Sequence, residues 1–531
     1  MKPSIRLLLV LLAGLAALFP RLDGTPFVPG KYLWAEDGSV FLNEAGTFGI
    51  GSLLRPYAGY FHMYPRLVAW GASYLDLLDR PAILLAGWML AYLVMLVAIH
   101  RAGLGLGLSV FGVVALALLI PLQPHYGENF FNITNSQWLL GTALFLLVLA
   151  EPDSAGRERP VRAVPIALLA LSGPFSTLVL PLAAVRAIVL RDVRRRVWTY
   201  GAVSLGGAVQ AAALMGSGRA AGAPVGGTLS DWSGAVWLLL SFGADIPIET
   251  WAAVGVWTLI IVAVVVACAR GPLSDRRVVL ALLLLAQAAL MIASALYSSK
   301  GQPFAVTTPG GGNRYTWIPY ALIFASATAL WARSRVAQGA TLATIGLLCF
   351  WNLHPVALPD LHFASFARFS QTVAMTIPIH PQWPADPGWH VAAGPRPGAP
   401  AAPGTELALD ETSLRAPGGV LTFERTADGP TFRAEGGAAV VLTAPATSCN
   451  DATDLGVEVS MSRDVDGWTR LSWGATADGP DTGSIRRWFP AGRVTARYAF
   501  ALAGPPVVLR LVPAETGVTI TLHRVTVHCL R

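Results

Sequence analysis

Apolar runs recur along this chain as far as residue 353 and then stop, and that break constrains its fold more than any other feature. They lie near residues 5–20, 81–99, 104–122, 136–150, 197–216, 251–269, 277–297, 315–332 and 337–353. A helix that crosses about 30 Å of hydrocarbon needs roughly 20 apolar residues, and a spanning segment must satisfy all its backbone polar groups internally. The runs therefore predict a multi-span α-helical membrane protein with about ten spans. The stretch 163–190 differs. Ser172, Gly173, Pro174, Phe175 and Ser176 interrupt it, which predicts a re-entrant or broken helix pair bent at membrane depth.

Composition agrees with a bilayer: 54% of residues are hydrophobic, only 13% are charged, and the mean hydropathy is +0.54. The net charge of +7 comes from short basic clusters between apolar runs, without the interleaved aromatic and basic face of a nucleic-acid binder. These clusters read as topology signals. Lys2 and Arg6, then His100 and Arg101, then Arg157, Arg159 and Arg162, then Arg191 and Arg194 to Arg196, then Arg270, Arg276 and Arg277, then Arg333 and Arg335 all share one side if every span alternates. Retained positive charge marks that side as cytoplasmic.

The N-terminus is then expected to be cytoplasmic, with loop 21–80 outside and the chain in a plasma (inner) membrane. The scheme requires Pro65–Leu78 to be an interfacial helix, and Tyr64, Arg66, Trp70, Tyr74 and Asp76 suit the headgroup zone. The first apolar segment also has the make-up of a cleaved signal peptide; either way the loop after it faces outward.

After Asn352 the material changes. A Pro/Gly-rich linker is expected over 354–403, and beyond it GAAVVLTAP, LGVEVSMS, GWTRLSWGA, VTARYAFAL, PVVLRLVPA and GVTITLHRVTVHC read as strands between turns. Residues 404–531 thus predict an all-β sandwich, extracytoplasmic by alternation and possessing Trp468, Trp473 and Trp488 as sugar-stacking or core residues. Cys449 and Cys529 both fall there, and an oxidising compartment favours a disulfide between them. Cys268 and Cys349 read as apolar fillers. Neither C-x-x-C nor H-E-x-x-H occurs, so a dedicated zinc site is not expected.

Polar chemistry concentrates in three outer loops of the first 353 residues. WAEDGSVFL carries adjacent Glu36 and Asp37; two carboxylates at an interface resist joint ionisation, which favours a raised pKa and a usable base. The plainer reading is an Asp-Gly turn or helix cap. RPYAGYFHMYPR follows, with Tyr60, His62 and Arg66. HYGENFFNITNSQW holds His125, Glu128, Asn129, Asn132, Asn135 and Gln137, a density of amides and aromatics that suits sugar hydroxyls or an ordinary polar loop. In SSKGQPFAVTTPGGGNRYTW, Arg314 and Lys300 stand near the outer start of a predicted helix. A guanidinium there grips a phosphate or serves as a snorkelling anchor.

Acidic first loop, interfacial helix, about ten spans, a broken central pair and a terminal β-domain together resemble the GT-C superfamily of integral-membrane glycosyltransferases, in particular bacterial arabinosyltransferase-like members. The WWDYG-type signature of oligosaccharyltransferases is absent. The resemblance implies a polyprenyl-phosphate sugar donor, a cell-envelope glycan or lipid acceptor, and transfer of a hexosyl or pentosyl group. Asp37 or Glu36 would accept the hydroxyl proton. Arg314, with Arg66, His62 and Lys300, would hold the lipid phosphate, and Tyr60, His125, Glu128, Asn129 and Asn132 would contact sugar. It also admits a divalent metal, Mg or Mn, held by Glu36 or Asp37. The rival reading is a flippase or transporter for lipid-linked glycans, which the near absence of charge inside the runs disfavours.

Overall fold

A computed structural model describes residues 2–22, 32–123, 128–151, 158–217, 226–242, 247–269, 275–299, 302–306, 313–351, 353, 360–381, 388–395, 404–407, 409, 414–415, 422–434, 440–443, 453–475, 481–501, 508–513 and 518–530. Its helices are α1 (Pro3–Ala16), α2 (Phe19–Leu22), a π-helix (Asp37–Leu42), α3 (Asn43–Phe48), α4 (Met63–Ala72), α5 (Arg80–Gly105), α6 (Val110–Leu122), α7 (Ser136–Leu149) and α8 (Ala163–Ala170), followed by α9 (Phe175–Leu190), α10 (Val197–Gly216), α11 (Leu229–Leu240), α12 (Pro247–Ala269), α13 (Arg276–Ser298), α14 (Trp317–Leu330), α15 (Arg335–Trp351) and α16 (Phe363–Ser370). The strands are β1 (Met375–Pro378), β2 (His390–Ala393), β3 (Gly404–Glu406), β4 (Leu414–Arg415), β5 (Thr422–Thr426), β6 (Gly429–Ala434) and β7 (Val440–Thr443), then β8 (Asp454–Arg463), β9 (Gly467–Gly474), β10 (Gly483–Phe489), β11 (Gly492–Ala501), β12 (Val508–Pro513) and β13 (Val518–Leu530). The chain forms two compact units: Met1–Phe27, Phe48–Gly71 and Ile83–Leu358 make the first, and Val28–Thr47, Ala72–Ala82 and Pro359–Arg531 the second.

The first unit is helical. Among the described residues, four helical stretches are long and apolar enough to cross a membrane: Pro3–Leu22, Arg80–Gly105, Thr250–Ala267 and Arg276–Ser298. The other apolar runs form shorter helices, Val110–Leu122, Ser136–Leu149, Phe175–Leu190 and Arg335–Phe350 among them. The run expected to cross as 104–122 is divided. Gly107 adopts φ +63°, which a side-chain-bearing residue rarely does, and the Ser109 hydroxyl accepts the Gly112 N–H at 3.1 Å to start α6.

Two helices occupy the centre of this unit. All of α7 is buried, as is α14 from Trp317 to Ala329. The α7 C-terminus is capped from a distance: Arg196 donates to the carbonyls of Leu147 and Val148 at 2.5 and 2.8 Å, and Arg186 to those of Val148 and Glu151 at 2.5 and 3.0 Å. Both arginines are under 2% exposed. Arg196, read from sequence as a topology charge, therefore satisfies helix-end carbonyls that would otherwise be orphaned.

The interrupted stretch 163–190 is two helices, α8 and α9, with Leu171 to Pro174 between them. Small residues let α10 lie close against this pair. A Cβ on Gly206 would fall 2.5 Å from the Ala170 Cβ, and one on Gly207 2.6 Å from Leu180.

The second unit contains the sandwich. One sheet runs β10-β9-β12-β7-β4 and the other β11-β8-β13-β6-β5, with β3 on β13; the pairings are antiparallel. Alternation builds the core: Leu455, Val457, Val459 and Met461 of β8 and Ala496, Tyr498 and Phe500 of β11 are buried. Trp473 of β9 stacks on Phe500 at 3.9 Å between ring centroids, joining the two sheets. Trp473 and Trp468 are each 6% exposed, so neither is an open sugar platform; Trp488 is half-buried. Cys529 is disulfide-bonded, and Cys449, its expected partner, lies outside the described residues.

Two domain boundaries expected from composition are redrawn. Within 354–403, read as linker, α16 buries Phe363, Phe366 and Phe369 and ties Ser365 (2.5 Å) and Arg368 to Asp454, while β1 and β2 pair as a two-stranded sheet. The Pro/Gly content of that stretch hid a helical period. The loop 21–80 does not belong wholly to the helical unit either, because 32–47 and 72–82 pack with the C-terminal region.

Candidate functional site

The acidic pair sits in the second unit. His380 N–H donates to the Leu33 carbonyl at 3.0 Å, Ala35 N–H donates back to the His380 carbonyl, and Trp34 and His380 form a parallel bridge. This seats 32–36 beside β1. The π-helix begins at Asp37, and Gly38 lets it press inward, since a Cβ there would lie 2.6 Å from Ile379 Cδ1 and 3.2 Å from Val391 Cβ. Asn43 Oδ1 accepts the Ala392 N–H at 3.2 Å and fixes the far end on β2.

Asp37 is consequently 2% exposed, whereas Glu36 is half-buried. The exposed-turn reading of Asp37-Gly38 is thus replaced by a buried π-helical turn, a rare geometry that recurs at functional sites. Tyr32 lies beside the carboxylate. Burial, and secondarily the charge of Asp37, push its phenol well above the ordinary tyrosine range, and its ring meets the His380 ring edge-on at 5.6 Å. Of the cluster Asp37, Tyr32 and His380, sequence reasoning found only the acid. His380 stands 343 positions away along the numbering of a proline-rich stretch, with no local signal.

The other described residues expected to hold sugar or phosphate fall in the first unit. Tyr57 and Tyr60 close a tight turn through mutual backbone hydrogen bonds of 3.0 and 3.2 Å, with Ala58 and Gly59 at φ +52° and +88°. Tyr60 stacks on His62 at 4.5 Å. His62 and Arg66 are each 1% exposed, so both are enclosed within the helical unit. The segment docks on the helix break: His62 bridges Ser172, Met63 N–H reaches the Leu171 carbonyl at 3.1 Å, and Tyr64 N–H the Ser172 hydroxyl at 3.1 Å.

Glu128 and Arg314 form an ion pair, with the carboxylate 5% and the guanidinium side chain 31% exposed. Two residues assigned separate roles from sequence are therefore one unit. Asn132 is committed to its own loop: its amide donates to the carbonyls of Glu128 and Phe130 at 2.7 and 3.0 Å and accepts the Asn135 N–H at 2.9 Å. Asn129 is different. It is fully buried, the Trp88 indole donates to its backbone carbonyl at 2.9 Å, and among the described residues both polar atoms of its side chain lack a hydrogen-bond partner, as do Gln137 Oε1 and Trp138 Nε1. A buried amide left open costs about 1–3 kcal/mol. Trp138 packs edge-on against Tyr315 at 5.3 Å, and Arg314 lies 5.5 Å from the same ring, which links these open groups to the ion pair. His125 and Lys300 lie outside the described residues.

No group of three or more His, Cys, Asp or Glu side chains converges among the described residues. Glu36 and Asp37 alone do not make such a donor set.

No family model matches the chain, and no curated protein does. Among solved structures, the arabinofuranosyltransferase AftD from Mycobacteria is similar over 97% of this chain and 61% of its own length, at 11% identity and a TM-score of 0.30. The C-terminal CBM6 of LamC, a marine laminarinase from Zobellia galactanivorans, matches 24% of this chain and 99% of its own at 13% identity and a TM-score of 0.19. A carbohydrate-binding module of Cellvibrio mixtus lichenase 5A, solved with cellotriose, matches 24% of this chain and 100% of its own at 14% identity and a TM-score of 0.19. Likenesses at these scores are weak.

Proposed function

We propose that this protein is a membrane glycosyltransferase that moves a hexosyl or pentosyl group from a polyprenyl-phosphate donor to a cell-envelope glycan or lipid acceptor. The observation that carries the reading is the burial of Asp37 at the head of a π-helix, in a segment that follows an apolar helix long enough to cross a membrane. A buried carboxylate on a π-helical turn has a geometry that recurs at functional sites, and this is consistent with use as a base.

Asp37 accepts the proton of the acceptor hydroxyl as its oxygen attacks the anomeric carbon, and the sugar–phosphate bond breaks. The leaving group is the lipid phosphate, for which Arg314 is the proposed cation on its own chemistry. The open amides of Asn129 and Gln137 hydrogen-bond sugar hydroxyls, which removes their desolvation penalty. In this reading the N-terminus is cytoplasmic, and the acidic segment and sandwich lie on the outer face of the membrane.

The test supplies polyprenyl-phosphate sugars and an envelope acceptor to the purified full-length protein in detergent and follows transferred sugar. Wild type should transfer, with Asp37→Asn reduced about 10²- to 10⁴-fold and Glu36→Gln less affected. Transfer by Asp37→Asn at the wild-type rate refutes the assignment. Movement of lipid-linked glycan across vesicles without donor consumption would instead establish the transporter.

A further inference from the structure

The helical unit contains a cationic hollow that the proposed transfer does not use. A cleft of about 500 Å³ opens between the C-terminal half of α12, the start of α13 and the turn after α14, within the usual size of a ligand pocket. Among the described residues, Arg276, Arg277 and Arg333 line it against one carboxylate, Asp275. That carboxylate is already committed: it accepts the Arg277 N–H at 3.0 Å as the N-cap of α13 and pairs with Arg333 at 2.6 Å. The lining therefore keeps an excess of positive charge.

The other wall is apolar. Ala263, Val266 and Ala267 of α12 line it together with Trp331, whose indole donates to the Leu259 carbonyl of the same helix at 3.2 Å. The membrane-crossing window of α12 is only 22% buried, and Ile261, Val262 and Val265 are exposed beside that wall. A cationic hollow that continues onto a lipid-facing helix has the chemistry of an amphiphilic anion site, because the head finds guanidinium groups and the chains stay in hydrocarbon.

The cleft is separate from Arg314. That residue precedes α14 and the cleft follows it, and the 14 residues of the helix rise about 21 Å. We propose that this cleft binds the phosphate headgroup of an anionic phospholipid, with its acyl chains along α12. The inference rests on residence in a bilayer and not on the transferase reading.

Full-length protein in detergent micelles, titrated with phosphatidylglycerol, phosphatidylcholine or glycerol 3-phosphate, provides the test by thermal unfolding and native mass spectrometry. Phosphatidylglycerol should raise the melting temperature and remain bound on the wild type, less so at high salt, whereas phosphatidylcholine should not. The double variant Arg276→Gln/Arg277→Gln should lose at least tenfold in retained phosphatidylglycerol. Ala267→Trp, which fills the cleft without altering charge, should lose it equally and serves if the double variant misfolds. Equal responses to both lipids, a full response to glycerol 3-phosphate, or retention of the lipid by both variants would overturn the proposal.

Discussion

Gln210 brackets Phe61 from the middle of an apolar helix: its Oε1 accepts the Phe61 N–H at 2.8 Å and its Nε2 donates to the Phe61 carbonyl at 3.1 Å. The same nitrogen donates to the Gly173 carbonyl at 2.9 Å. One fully buried side chain thus joins the tyrosine-rich turn, the α8–α9 break and α10. Gln210→Leu leaves three backbone groups without that partner and should cost about 2–4 kcal/mol, allowing for partial rescue by water. Lower melting temperature and faster proteolysis within 57–62 would register it. Unchanged values would mean that the helix break holds without the glutamine.

The Asp37–Tyr32 relationship yields a pH prediction. The Tyr32 phenol is held neutral by burial and then by the Asp37 charge, so its folded-state pKa exceeds the unfolded one. Its contribution to stability is complete below the ordinary tyrosine value of 10.0 and falls as pH rises past it, since the unfolded chain ionises first. Asp37→Asn removes the charge and should move the Tyr32 titration to lower pH, without returning it to the ordinary value because burial remains. Alkaline difference spectra of Asp37→Asn against Asp37→Asn/Tyr32→Phe isolate that phenol. A titration that Asp37→Asn leaves in place would place the carboxylate away from Tyr32.

Much of the architecture was legible because burial leaves a composition signal. Apolar runs located the helices, Ser172 to Ser176 located the break, and the alternation in LGVEVSMS and VTARYAFAL located β8 and β11. What stayed hidden depends on distant partners. Nothing in FASFARFS announces that Ser365 and Arg368 meet Asp454, and nothing in the apolar run 197–216 announces that Gln210 meets Phe61. The site was half legible for the same reason. Asp37 stood out as a charge in an apolar context, but Tyr32 and His380 acquire meaning only through the bridge at Trp34.

The Glu128–Arg314 pair predicts an asymmetry. Glu128 is nearly enclosed while Arg314 is about a third exposed. Arg314→Met removes the cation beside a buried carboxylate and should destabilise by about 3–5 kcal/mol; Glu128→Gln leaves a cation that water reaches and should cost clearly less. The double variant should recover most of the stability and none of the transfer activity, separating the structural role of the pair from a role for the guanidinium at a phosphate. Equal costs for the two single variants, measured by thermal unfolding, would contradict the asymmetry. Recovered transfer in the double variant would remove Arg314 from the proposed site.

On the five-stranded sheet Arg470 of β9 and Arg486 of β10 stand directly opposite each other, two register positions from the Trp468–Trp488 pair and on the same face. Both arginines are exposed, and Arg486 lies over the Trp468 ring at 4.5 Å. Like charges opposed across two strands repel, and a tryptophan face stabilises only one of the two cations. Arg470→Thr removes the repulsion, keeps the stacked Arg486 and introduces a β-branched residue suited to a strand. It should therefore stabilise the protein by about 0.2–1 kcal/mol at low salt, and the gain should shrink as added salt screens the pair it replaces. Denaturation of the full-length protein at two ionic strengths checks both parts. A loss of stability, or a gain indifferent to salt, would show that Arg470 contributes through its alkyl stem rather than its charge.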